Sequence, residues 1–163
     1  MISLKSKAPS SADGIKIITA NRRALHDYFV VEALEVGVAL LGSEIRPCRE
    51  GKVNLQEAYA EVDEQGELWL FGASIAQNPF SNQLNHDPFR KRRLLAHRKE
   101  ILKLGHKVQA TGNTLIPLKM YFKKGRVKIE IALARGKRQY DKRETIAKKD
   151  LKRDMEREMS EKR

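Results

Sequence analysis

LKMYFKKGRVKIEIAL, residues 118–133, is the stretch that decides the fold. Apolar residues recur at every second position on both sides of Lys124-Gly125. Alternation with period two indicates β-strands, and a short break that contains glycine is typical of a tight antiparallel turn. Cations fill most of the remaining positions and the turn, and we expect them on the solvent side of this hairpin: Lys119, Lys123, Lys124, Arg126 and Lys128.

Shorter runs rich in β-forming residues precede this hairpin, with turn residues between them. Two of these runs flank the turn Glu64-Gln65-Gly66 and should pair as a second hairpin. Gly37 is expected to mark a bulge or bend, and Pro47 limits the segment after Gly42 to about one helical turn. The predicted strands are residues 15–19, 28–36, 38–41, 58–62 and 68–71.

The clearest helix is predicted between Asp87-Pro88 and Val108. Leu94, Ile101 and Leu104 follow helical spacing, and proline near the first position is a start signal. Four consecutive cations would then lie in the first turn, where the helix macrodipole already places partial positive charge. We expect an anion such as a phosphate backbone to neutralise them, and a solvated basic loop is the alternative. The four are Arg90, Lys91, Arg92 and Arg93.

Together these elements predict a mainly β protein. Six or so short antiparallel strands with glycine bends favour a small closed barrel of the OB type. An open α+β sandwich contains the same elements, and periodicity does not distinguish the two folds. The predicted division is a flexible arm over residues 1–14, a barrel domain over 15–135 and a basic tail over 136–163.

The tail differs in composition from the rest of the chain. After Gly136 it has neither glycine nor proline, and 11 Lys or Arg share it with 7 Asp or Glu. Its apolar residues recur at every fourth position, which suits one helix face but offers little area for docking. We expect the tail to be disordered or frayed alone and helical on a partner, the alternative being a solvated terminus. The stripe consists of Ala147, Leu151, Met155 and Met159.

Charge and composition limit the classes of partner. The 163 residues include 33 Lys or Arg and 21 Asp or Glu, a net charge of +12, which indicates a polyanion partner. No apolar run approaches the ~20 residues of a membrane span. A single cysteine, Cys48, fits a reducing cytosol. We therefore expect a cytoplasmic monomer without a membrane partner.

Catalytic interpretations find little support in the sequence. The four histidines show no zinc-binding spacing, and Cys48 has no sequence signature of a base beside it. Glu32, Glu35 and Glu57 could hold a divalent metal in a nuclease, although acids scattered along strands are usually solvated or paired. We predict no catalytic residue, no metal and no cofactor.

Six motifs occur along the chain: NRRALHDYF (21–29), EVG (35–37), LGSEI (41–45), FGA (71–73), DP with RLL (87–88, 93–95) and GKRQYDKR (136–143). They resemble the motifs of the SsrA-binding protein family, also called small protein B, in the same order. The resemblance spans nearly the whole sequence, and the first and last motifs are the most specific.

The resemblance implies a bacterial OB-type barrel with flanking helices and no catalytic activity of its own. Such a protein would bind the tRNA-like domain of transfer-messenger RNA. With elongation factor Tu, it would deliver that RNA to ribosomes stalled on a message without a usable stop codon. The tail would enter the decoding centre and the empty mRNA channel, as a helix. A general basic OB-fold RNA-binding protein, for example in ribosome assembly, is the alternative.

The resemblance also implies roles for individual residues. Asn21 would pair with a base edge, Glu35 would accept from a base amino group or a 2′-OH, and Leu95 would cover an unstacked base. Without the family, Glu35 is one more strand acid and Leu95 one more core leucine. Basic residues near Asn21 would join this surface, or form a plain basic turn: Arg22, Arg23 and His26. The tail residues implied to engage the decoding centre and its rRNA are Lys137, Arg138, Tyr140, Asp141, Lys142 and Arg143.

Overall fold

Nine strands and four helices form the described part of the chain, residues 14–81 and 85–161 of a computed structural model. The strands are β1 (Ile15–Ala20), β2 (Tyr28–Val38), β3 (Val53–Asn54), β4 (Tyr59–Val62), β5 (Leu68–Phe71), β6 (Ser74–Ile75), β7 (Arg92–Leu95), β8 (Thr114–Lys123) and β9 (Arg126–Gly136). The helices are α1 (Arg22–Asp27), α2 (Gly42–Arg49), α3 (Arg98–Thr111) and α4 (Gln139–Glu161). Most of the predicted N-terminal arm, residues 1–13, lies outside the described residues.

Strand β8 closes the sheet into a barrel. It pairs with β9 along most of its length, and it also pairs with β4 at Leu115 and with β1 from Lys119 to Lys123. Pairing continues from β4 through β5, β7 and β2 to β9, so the ring of strands returns to β8. This closure confirms the predicted OB-type antiparallel barrel and excludes the open sandwich. Strands β3 and β6 form a separate two-stranded sheet.

The hairpin of β8 and β9 follows the predicted alternation. Its inward side chains are buried in the barrel, as at Met120, Ile129 and Ile131. Lys124 and Gly125 form the turn with φ of 50° and 74°. Positive φ at both turn positions matches the right-handed twist of the strands. The second predicted hairpin is also present, as β4 and β5.

Gly37 lies inside strand β2, where it pairs with Leu95 on one side and with Lys128 on the other. The predicted bulge at Gly37 is wrong, because the register is continuous there and the shift in β2 lies between Val30 and Glu32. A Cβ added at residue 37 would lie 3.3 Å from the Leu95 Cβ. Glycine therefore allows β7 to pack closely against β2.

The predicted helix start at Asp87-Pro88 is wrong, because Arg92–Leu95 form strand β7. Burial alternates along this strand, with residues 92 and 94 inside and 93 and 95 outside. Helix α3 begins only after His97, whose amide donates to Glu100 Oε2 at 3.1 Å. The four cations at 90–93 therefore do not lie in a first helical turn, and the macrodipole gives no reason for an anion there.

Two short segments are more helical than predicted. The residues between the first two strands, expected to be a turn, form α1. The segment after Leu41 was expected to hold about one turn, but α2 has eight residues and contains Pro47. The Glu44 side chain accepts a hydrogen bond from the Leu41 amide at 2.8 Å and so caps the start of α2.

A fully buried ion pair joins α2 to β7. Arg92 Nη2 lies 2.8 Å from Glu44 Oε1, and neither side chain has exposed surface. The guanidinium also donates to the carbonyl oxygens of Ala73, from Nη1 at 2.8 Å, and Pro88, from Nη2 at 3.0 Å. Burial lowers the pKa of the Arg92 guanidinium below its ordinary value, and the Glu44 carboxylate opposes that change. The pair thus links three segments that are distant in sequence.

The tail forms one helix, α4, of 23 residues in the isolated chain. We expected the tail to be disordered or frayed without a partner. Contacts of its first residues with α1 account for part of the difference between this expectation and the observed helix. The apolar stripe has no cover: Leu151 is 59% exposed and Met159 is 70% exposed. Within the described residues, no helix is both long enough and apolar enough to span a membrane.

Replacement of the buried carboxylate, Glu44→Gln, should lower the free energy of unfolding by about 3–5 kcal/mol, because the Arg92 charge would stay buried without a counter-ion. Urea unfolding followed by circular dichroism measures the change. Glu50→Gln is the control, since Glu50 pairs with Arg46 and Lys52 at the surface, and it should leave stability nearly unchanged. Equal stability of the two variants would contradict the structural role of the buried pair.

Candidate nucleic-acid interface

One row of paired residues crosses four strands of the barrel. Gly37 pairs with Leu95 and Lys128, and Lys128 pairs in turn with Tyr121 on β8. Directly paired residues project from the same side of a sheet. Leu95, Lys128 and Tyr121 therefore share one side, and Leu95 is 50% exposed on it. We name this surface the outer face and define it by Glu35, Gly37, Leu95, Tyr121, Lys123 and Lys128.

Glu35 lies two residues before Gly37 and so on the same side of β2. Its carboxylate accepts a short hydrogen bond from the Tyr121 hydroxyl and another from Lys123 Nζ at 3.0 Å. The bond from Tyr121, aided by Lys123, holds the pKa of Glu35 below its usual value. Burial and the neighbouring carboxylate raise the pKa of Tyr121 above its ordinary value. At neutral pH the outer face thus carries an ionised and oriented hydrogen-bond acceptor.

A groove of about 440 Å³ opens beside Leu95, between α2 and the turn of the β8–β9 hairpin. Its walls are apolar at Val38, Leu40, Leu95 and Phe122 and cationic at Arg49, Arg126 and Lys128. Apolar walls with cations at the rim suit one unstacked base and its phosphate. Sequence reasoning missed Arg49, because a single cation at the end of a short helix gives no distinctive signal.

The Asn21 side chain is fully used inside the protein. Its Oδ1 accepts a hydrogen bond from the Ala24 amide at 3.1 Å, and its Nδ2 donates to the Leu55 and Pro117 carbonyls at 2.9 and 3.2 Å. Only 4% of the residue is exposed. This burial contradicts the expected contact of the Asn21 amide with a base edge. Asn21 instead caps α1 and attaches it to the barrel.

The cations at 90–93 do not form a free basic patch. The prediction that Arg92 contacts RNA is wrong, because its guanidinium is buried against Glu44. Arg90 also binds that carboxylate, with its Nε 2.9 Å from Oε1. Arg93 pairs with Glu67 at 2.6 Å, and its side chain remains about half exposed. The exposed Lys91 Nζ lies 4.7 Å from the centre of the Trp69 ring.

The hairpin cations fall into two groups. Lys119 pairs with Glu130 at 2.8 Å, and Lys123 pairs with Glu35 at 3.0 Å. The others have no ion-pair partner within residues 14–81 and 85–161: Lys124, Arg126 and Lys128. Within this hairpin, the cations that lack an ion-pair partner among the described residues therefore lie at or near the turn, next to the groove.

Asp27 joins α1 to the tail. Its Oδ1 lies 2.9 Å from His26 Nδ1 and 3.1 Å from Lys142 Nζ, and its carbonyl accepts from the Lys137 amide at 2.8 Å. Hydrogen bonds from His26 and Lys142 lower the pKa of Asp27 to about 2. Arg23 contacts the second carboxylate oxygen at 3.3 Å. The three residues of α1 predicted to contact RNA are exposed: Arg22, Arg23 and His26.

The other tail residues implied by the family lie at the start of α4. The Asp141 carboxylate accepts a hydrogen bond from the Arg138 amide at 3.3 Å and so caps the helix. Arg138 and Arg143 are exposed. The side chain of Tyr140 lies outside the described part of the structure, so its stacking on a ribosomal base stays a prediction.

Of the groups considered for catalysis, Cys48 is buried and Glu32 and Glu35 are paired, whereas Glu57 is exposed. Cys48 is 1% exposed, and burial raises the pKa of its thiol to about 11, which disfavours the thiolate at neutral pH. Glu32 pairs with Lys103 and Lys107 of α3. Across the described ranges, no group of three His, Cys, Asp or Glu residues could hold a metal ion. The nuclease alternative therefore has no metal centre in these ranges.

Comparison with known proteins identifies the family. The model of the family described as SmpB protein matches residues 18–161. The chain belongs to the SmpB protein family. An SsrA-binding protein of Desulfitobacterium hafniense (strain DSM 10664 / DCB-2) is 53% identical over 147 residues, which cover 90% of this chain and 94% of that protein.

Two further relatives agree with membership in the SmpB family. An SsrA-binding protein of Desulforamulus reducens is 52% identical over 153 residues, which cover 93% of this chain and 94% of that protein. A solved structure described as "tmRNA-SmpB: a journey to the center of the bacterial ribosome" contains a chain that is 43% identical to this one. Its TM-score is 0.63, and the match covers 78% of this chain and 93% of that chain.

Acid should release the tail from α1. Because the pKa of Asp27 is about 2 in the folded chain and 3.8 ordinarily, its contact with Lys142 is fully present above pH 3.8 and is lost as the pH falls through 2. The ¹⁵N resonance of the Lys142 side-chain ammonium measures this release. Asp27→Asn should show the released resonance at neutral pH, whereas Asp150→Asn, further along α4, should not. A Lys142 resonance that is independent of pH would contradict the Asp27 contact.

Proposed function

We propose that this protein binds the tRNA-like domain of transfer-messenger RNA through its outer face and delivers that RNA to stalled ribosomes for trans-translation. The observation that carries the proposal is the row of Leu95, Gly37 and Lys128, which places apolar surface and a cation on the side that also holds the ionised Glu35. The relatives' name, SsrA-binding protein, and the likeness to the tmRNA-SmpB structure support the choice of RNA.

Each group on the outer face suits a different part of a folded RNA. Lys128, with Arg126 beside it, would contact phosphates and supply affinity without sequence preference. Glu35 would accept a hydrogen bond from a guanine or cytosine amino group or from a 2′-OH, and Leu95 would cover an unstacked base. The exposed side chain of His26 and a set of exposed or partly exposed cations would extend the interface: Arg22, Arg23, Lys91, Arg93, Lys119, Lys123 and Lys124.

The tail would act on the ribosome. As a helix of 23 residues, α4 is about 34 Å long and would extend into the decoding centre and the empty mRNA channel. Lys142 would exchange its Asp27 partner for rRNA phosphate, because a partly exposed ion pair is weak. Elongation factor Tu would accompany the delivery complex. The protein would act as a cytoplasmic monomer and would itself catalyse no reaction.

The double variant Arg126→Gln, Lys128→Gln should weaken binding to the tRNA-like domain and reduce the slope of log K against log salt by about 2, because each cation neutralises one phosphate. Fluorescence titrations at three salt concentrations measure the slope. Lys148→Gln, Lys149→Gln in α4 is the matched control, with the same loss of charge outside the proposed interface. If both double variants reduce the slope equally, the hairpin turn is not the phosphate contact.

A chain that ends at Gly136 should keep nearly full affinity for the tRNA-like domain but fail to rescue stalled ribosomes, because the outer face lies entirely before the tail. Affinity is measured by titration, and rescue by peptide tagging in a reconstituted translation system with a truncated message. Loss of affinity by more than about tenfold, or ~1.4 kcal/mol, would refute this division of roles. Normal rescue by the shortened chain would refute the role of the tail.

A further inference from the structure

Three carboxylates of the barrel domain differ from its other acids in having no partner among the described residues. Glu57, Glu61 and Glu64 form no ion pair or side-chain hydrogen bond with any described residue. Every other Asp and Glu between residues 14 and 136 has at least one such contact. In a chain with a net charge of +12, carboxylates lacking a cation are unexpected. All three lie on β4 or within two residues of its ends.

Two of these carboxylates, Glu61 and Glu64, line a groove of about 550 Å³ between α3 and the β4–β5 hairpin. Apolar side chains also line the groove, and two of them are unusually exposed: Tyr59 is 46% exposed and Leu102 is 43% exposed. None of the residues that line the groove belongs to the outer face. The groove is therefore a second surface, with apolar side chains beside uncompensated negative charge.

The charge of the groove selects the class of partner. A third carboxylate, Asp63, is occupied by the amides of Gln65 and Glu67 and by Trp69 Nε1. Arg98 is the one Lys or Arg side chain among the described lining residues. Phosphate groups would be repelled by Glu61 and Glu64, whereas lysine or arginine side chains would be attracted. The exposed apolar side chains would accept an aliphatic group from the same partner.

We propose that the groove binds a lysine- or arginine-rich protein segment that places an apolar side chain against Leu102 and pairs its cations with Glu61 and Glu64. This surface is separate from the proposed RNA interface, and RNA binding at the outer face does not require it. The protein would thus hold RNA on one side and a basic protein segment on another. Charge complementarity with Glu61 and Glu64 is the basis for the choice of partner.

The test uses the full-length, ¹⁵N-labelled protein and a synthetic lysine-rich peptide that contains one leucine. The peptide should shift the amide resonances of Val62, Leu102 and Gly105, which line the groove. Replacing the leucine of the peptide by serine should weaken binding by about tenfold, because a half-buried leucine contributes roughly that much. If the serine peptide binds equally well, or if no groove resonance shifts, the proposal fails.

Variants of the protein test the charges. Glu61→Gln with Glu64→Gln should weaken peptide binding about three- to tenfold, as expected for two exposed ion pairs. Glu57→Gln is the control, since Glu57 is an unpaired acid beside the same strand but does not line the groove. An equal effect of Glu57→Gln would mean attraction by overall charge and would overturn the proposal.

The groove resonances also distinguish two other possible occupants of the groove. Oligouridine that shifts the groove resonances would show an RNA site. Groove shifts that depend only on protein concentration would show a second copy of the chain. Either result overturns the proposal. None of these variants should change affinity for the tRNA-like domain. The proposal for the groove and the proposal for the outer face are therefore tested independently.

Discussion

The buried pair of Glu44 and Arg92 fixes the register of strand β7, and the outer face depends on that register. Strand β7 has only four residues, and a slip of one position would turn Leu95 inward and expose Arg92. The slip is opposed because Arg92 is bound by Glu44 and by two backbone carbonyls. Gly37 completes the arrangement, since it allows β7 to approach β2 closely. An interaction inside the barrel thus decides which side chain lies on the outer face, where we propose that RNA binds.

Ion pairs in this protein serve two different purposes according to their burial. The Glu44–Arg92 pair cannot exchange partners without exposing a buried charge, so it is a permanent part of the fold. Pairs at the surface, such as Arg93–Glu67, Lys123–Glu35 and Lys142–Asp27, contribute about 0–1 kcal/mol each and can exchange a carboxylate for a phosphate. The 33 Lys and Arg residues of the sequence therefore outnumber the cations that are unpaired in the described part of the chain, although an RNA could recruit the surface cations from their carboxylate partners.

The sequence predicts most reliably those elements that a local pattern of residues determines. The two hairpins were predictable because period-two alternation and a glycine turn determine them locally. The start of α3 was not predictable, because the positions of Leu94 and Leu95 fit a strand as well as a helix that continues to Ile101. The burial of Arg92 depends on Glu44, 48 residues away, and no local pattern encodes that contact. The RNA contact expected of Asn21 came from the family resemblance, and no local pattern shows that its amide binds Leu55 and Pro117, which are distant in sequence.

The most direct test of the central claim compares two RNAs of similar length at one near-physiological salt concentration. The purified protein is titrated against the tRNA-like domain of transfer-messenger RNA and against bulk tRNA. We expect the first to bind at least a hundredfold more tightly, or about 2.7 kcal/mol beyond the phosphate attraction that both RNAs share. Equal binding would contradict the claim and would leave a basic barrel that binds RNA without selectivity.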